Sequence, residues 1–84
     1  MYDVIIPEPM ERIIRKLDKE LQRRLDKKIE KLKTAPDIYG KPLRWPMAGT
    51  WEIYFEVKYR ILYEIDFQNR IVTITGIRHK DEFS

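Results

Sequence analysis

The sequence of 84 residues contains no cysteine, one histidine and three glycines, and each scarcity removes a class of mechanism. Without cysteine there is neither a disulfide framework nor a thiolate metal site, and the chain suits a reducing cytoplasm. A lone His79 provides no metal-ligand spacing. The glycines, Gly40, Gly49 and Gly76, are too dispersed to form a phosphate loop, and nothing resembles a nucleophilic triad. No apolar run approaches the ~20 residues of a membrane span. The start MYDVIIPEPM lacks the basic and long apolar stretches of a signal peptide. These absences predict a cytoplasmic protein with no metal, no small-molecule cofactor and no membrane partner.

What is abundant is charge. Seventeen Lys and Arg oppose fourteen Asp and Glu, for a net charge of +3. That mild excess suits a phosphate-binding surface, although charge alone is weak grounds for one. The length predicts one domain, residues 1–84, burying only ~60 to 65% of its unfolded surface, so a second chain covering apolar area is expected.

The organising stretch is YRILYEIDFQNRIVTITGIR, Tyr59 to Arg78. Tyr59, Ile61, Tyr63 and Ile65 alternate with Arg60, Leu62, Glu64 and Asp66, the period of a half-buried strand. Gln68-Asn69 supplies a turn. Ile71 to Thr75 is β-branched throughout and apolar on both faces, which predicts an interior strand.

Earlier in the chain, Tyr2 to Ile6 reads as a short strand ended by Pro7. From Met10 the apolar residues Met10, Ile13, Ile14, Leu17, Leu21, Leu25, Ile29 and Leu32 recur at spacings of three and four, the stripe of an amphipathic helix. Asp18 is placed to cap a second helix, dividing the stripe into a helical hairpin, with one continuous helix as the alternative. Residues 36–50 hold three of the five prolines and two of the three glycines and read as a loop. Trp51, Ile53, Phe55 and Val57 alternate inward, with Glu52, Tyr54 and Glu56 outward and a tight turn at Lys58. The order β-α-α-β-β-β predicts an α+β domain, a small antiparallel sheet with two N-terminal helices packed on one face.

The chemistry on offer is a set of cations on or beside the sheet: Lys41, Arg44, Lys58, Arg60, Arg78, His79 and Lys80, with Tyr54 among them. Cleavage of RNA by its own 2′-OH needs no metal. It needs a base, positive charge at the developing phosphorane and an acid for the leaving oxygen. Arg60 and Arg78 suit the stabilising role, and His79 and Lys80 suit proton transfer. Each has a plainer reading. An arginine in a strand more often pairs with a cross-strand carboxylate, here Glu52 or Glu64, and Trp45 beside prolines more often plugs a small core than stacks on a base.

Lys41-x-Leu43-Arg44, Trp51-x-Ile53, Tyr59-Arg60-Ile61-Leu62-Tyr63-Glu64-Ile65 and Ile74-x-x-Ile77-Arg78-His79-Lys80, in this order of elements, resemble the RelE/ParE toxin superfamily over nearly the whole chain. The resemblance implies a RelE-like toxin that cuts mRNA on the ribosome and is held inactive by a cognate antitoxin. It places Arg44, Arg60 and Arg78 at phosphate-binding positions and Lys80 at a further basic one. Two lysines of the best-known RelE branch fall on Glu52 and Tyr54, and that branch's terminal catalytic tyrosine falls on Phe83 or Ser84. The catalytic set expected here is therefore Arg60, Arg78, His79 and Lys80, with Lys41, Arg44, Lys58 and Tyr54 on the RNA. Leu62, Ile74 and Phe83 are expected to meet the antitoxin. Two other readings stay open, a ParE-like toxin that binds gyrase and a weak relative that mainly binds its antitoxin.

Overall fold

A computed structural model describes residues 1–79. Its elements are β1 (Asp3–Ile5), α1 (Glu8–Arg15), α2 (Lys19–Thr34), α3 (Pro36–Tyr39), β2 (Lys41–Pro42), β3 (Trp51–Phe55), β4 (Tyr59–Asp66) and β5 (Ile71–His79). One sheet runs β1-β5-β4-β3-β2, so β5 is interior, as its two-sided apolar composition requires. The meander β3-β4-β5 is antiparallel, while β1 lies parallel to β5, which makes the whole sheet mixed. The helices and strands β2 to β4 all lie between β1 and β5 in the chain, which gives the long connection a parallel partner needs.

The helical stripe divides where Asp18 stands. Its carboxylate accepts the Leu21 N–H at 2.8 Å and caps α2. The Gln22 side-chain amide donates to the Ile14 and Leu17 carbonyls at 3.1 and 2.9 Å, so the first turn of α2 satisfies the open end of α1. Leu25, Ile29 and Leu32 of α2 then bury against Ile53, Phe55, Ile61, Tyr63, Val72, Ile74 and Ile77 of the sheet. Each fully buried aliphatic side chain contributes ~1.5 to 3 kcal/mol. Met10, Ile13 and Ile14 of α1 cover the edge of this core. Both helices lie on one face and leave the other open.

The loop predicted over residues 36–50 contains the turn of helix α3 and the two-residue strand β2, which pairs Lys41 with Glu52. Trp45 plugs no core, being 85% exposed. The alternation read from Trp51 to Val57 stops at Phe55, because Glu56 turns the chain with φ 58. Glu56 then reaches Arg24 of α2 at 2.8 Å and Val57 is exposed, where alternation had placed Glu56 outward and Val57 in the core.

Candidate functional site on the open sheet face

Cross-strand register decides which polar side chains meet. Tyr54 on β3 stands opposite Arg60 on β4, and Arg60 stands opposite Arg78 on β5. Directly opposed strand residues share a face, so these three lie side by side on the face away from the helices. Glu52, two residues before Tyr54, occupies the same face, and its partner in the ladder is Lys41 of β2.

The centre of the cluster is a carboxylate. Glu52 is 4% exposed. Its Oε1 lies 3.5 Å from Lys41 Nζ and its Oε2 accepts from Arg60 Nη1 at 3.4 Å, so each oxygen has its own cation. The Tyr54 ring carries the same two cations, with Lys41 Nζ at 5.7 Å and the Arg60 guanidinium at 5.2 Å from its centroid. The cross-strand ion pair foreseen for Arg60 is therefore formed. Sequence reasoning did not see that the carboxylate is buried and shared with Lys41, because a two-residue strand leaves no periodic signal.

A bulge sets the position of Arg78. The β4–β5 register shifts between Leu62 and Tyr63, which face Gly76 and Ile74, and Thr75 is the extra residue. Ile74 and Ile77, three apart, thereby both face the core, and Arg78 points to the open side. Alternation puts His79 on the helix side, where its ring meets Tyr59 edge-on at 5.2 Å. His79 and Arg78 thus occupy opposite faces, and the structure separates two residues that chain proximity had grouped.

Of the other expected site residues, Arg44 is exposed in the β2–β3 loop. Lys58 lines a shallow cleft with Leu21, Glu56, Val57 and Tyr59, beside α2 rather than on the open face. Lys80 and Phe83 lie outside the described residues. Leu62 and Ile74 offer a partner nothing exposed. Leu62, at 4%, lies over Gly76, whose missing side chain makes room for it, and Ile74, at 1%, belongs to the core. The large apolar side chains that are exposed include Ile5, Ile38, Trp45 and Val57.

Beneath the cluster, Tyr63 anchors the loop. Its hydroxyl donates to the Pro36 carbonyl at 2.7 Å, and burial, with the nearby charge of Asp37, pushes its pKa up to about 12. Gly40 passes against that hydroxyl so closely that a Cβ would collide with it and lie 2.8 Å from the Glu52 carbonyl oxygen. This contact delivers Lys41, the next residue, to Glu52. Among the described residues no group of His, Asp or Glu has metal-site geometry, and no helix is long and apolar enough to cross a membrane.

The family described as ParE toxin of type II toxin-antitoxin system, parDE, matches residues 8–82. No curated protein sequence matches significantly. Among solved structures, a chain of the RelBE2 toxin–antitoxin complex from Mycobacterium tuberculosis is 30% identical, with a TM-score of 0.83 over 93% of this chain and 96% of that one. The E. coli RelBE toxin–antitoxin complex gives 0.76 at 20% identity, over 92% of this chain and 94% of that one. The YoeB/ParE toxin from Agrobacterium tumefaciens gives 0.75 at 15% identity, over 92% and 96%. The last two likenesses are of fold alone.

Proposed function

The chain belongs to the ParE toxin family of type II toxin–antitoxin systems, within the RelE/ParE superfamily, and from that premise we propose that it is a ribosome-dependent mRNA endoribonuclease. The single observation that carries the reading is the register pair Arg60 and Arg78 on the open sheet face. Arginines at one register pair put two permanently charged donors on one face, to hold a scissile phosphate while the 2′-OH attacks it. Tyr54, held beside Arg60, provides an exposed phenol at the same place. The site needs no metal, since the developing charge is met by the arginines.

The cellular partners are the ribosome with its mRNA and, for inhibition, a cognate antitoxin, as in the RelBE2 complex to which this chain is similar. The buried Glu52 favours a second reading. A carboxylate set among the cations weakens a nuclease site, and a ParE-like toxin that acts by binding gyrase needs none.

Primer extension on mRNA programmed into ribosomes tests the two. Cuts within A-site codons that vanish in Arg60→Ala and Arg78→Ala support the nuclease. Absence of cuts, together with inhibition of gyrase supercoiling, supports the alternative. Growth arrest with neither effect leaves both without support.

A further inference from the structure

Glu52 is the buried charged residue of the described chain, and it lies in the middle of the face just assigned to RNA. A buried carboxylate is costly unless cations and hydrogen bonds compensate it, and here two neighbouring strands each supply one. Lys41 and Arg60 approach from opposite sides of the carboxylate and rest on the same tyrosine ring. An ammonium and a guanidinium gathered on two oxygens is also how such groups hold phosphate.

We infer that Glu52 is a built-in counter-ion that limits the hold of this face on an RNA backbone. It takes up Lys41 and one edge of Arg60, so these two cations act on a polyanion with one charge cancelled. Free RNA is bound weakly as a result, and productive binding depends on a substrate positioned by something else. Glu52 is thus a specificity-determining residue rather than a catalytic one. This inference rests on the RNA reading of the face.

The test is binding of the purified chain to a short 2′-O-methyl RNA, which cannot be cleaved, over a series of salt concentrations. Glu52→Gln keeps the volume and an acceptor for Arg60 but removes the charge. Releasing one cation to one further phosphate steepens the slope of log K against log salt by ~0.7, which is about an eightfold gain in affinity at about 50 mM salt. Adding Lys41→Gln on that background removes the gain. If folded Glu52→Gln binds no more tightly while Arg78→Gln binds more weakly, the counter-ion role is overturned and the RNA site stands. If neither variant changes binding, both are overturned. Should Glu52→Gln fail to fold, Lys41→Gln alone reads the same pairing. The slope then falls by well under the ~0.7 of a fully available cation, and a full ~0.7 drop overturns the inference.

Discussion

Arg60 and Arg78 stand directly opposite one another on β4 and β5, two like charges in one register pair. Such opposition works against sheet stability by ~0.2 to 1 kcal/mol. Glu52 beside Arg60, at 3.4 Å, offsets part of the repulsion.

Arg78→Gln lowers the rate of ribosome-programmed mRNA cleavage by about 100-fold or more, the usual cost of losing one preorganised donor to developing charge. The variant's melting temperature stays within a few degrees of the parent's, because Arg78 is exposed at the end of a strand. Single-turnover cleavage alongside a thermal melt checks both halves.

Tyr63→Phe strands the Pro36 carbonyl and costs about 1 to 3 kcal/mol at neutral pH, measured by urea unfolding. The same comparison has a pH signature. The folded chain holds the Tyr63 proton up to about 12, against an ordinary value of 10.0 when unfolded. The associated stability is complete below pH 10.0 and is lost as pH rises through about 12, a fall of at most about 2 to 3 kcal/mol. The parent shows this fall and Tyr63→Phe lacks it, so the gap between the two narrows in strong alkali.

Gly40→Ala drives a methyl group into the Tyr63 hydroxyl and toward the Glu52 carbonyl. Overpacking of this kind costs about 1 to 3 kcal/mol, and β2 pays it by shifting, which carries Lys41 away from Glu52. Denaturation reads the first effect. The second appears as an increase in hydrogen exchange at the Leu43 amide, which otherwise donates to the Thr50 carbonyl at 2.9 Å.

Gln22→Ala removes both donors from the end of α1 and costs about 1 to 2 kcal/mol, more than a substitution at an exposed helix position. Its effect is local. Amides of α1 lose protection from hydrogen exchange while those of β4 and β5 keep theirs, and equal loss in both would show that the corner is not a separate unit.

Much of the architecture was legible along the chain because it rests on periodicity. Spacings of three and four from Met10 to Leu32 specify a buried helical stripe, Asp18 is the residue type that divides it, and strict alternation from Tyr59 to Asp66 specifies which face of β4 meets the helices. From these the α+β order and the outward position of Arg60 both follow. Periodicity is local, and what escaped it is not. Ile74 and Ile77 are three apart in a strand, so only a bulge fitted to Leu62 and Gly76 seats both in the core and sends Arg78 to one face and His79 to the other. Leu62 has the alternation of an exposed residue and is buried because Gly76 opposite it has no side chain. Glu52 has the alternation of a surface charge. It becomes a buried one only when Gly40 passes the Tyr63 hydroxyl and brings Lys41 alongside, a convergence of residues from three separate segments that no local pattern encodes. Local preferences therefore determined the elements and their faces, and tertiary packing decided which charges meet, since the strength of a charge depends on its neighbours in space.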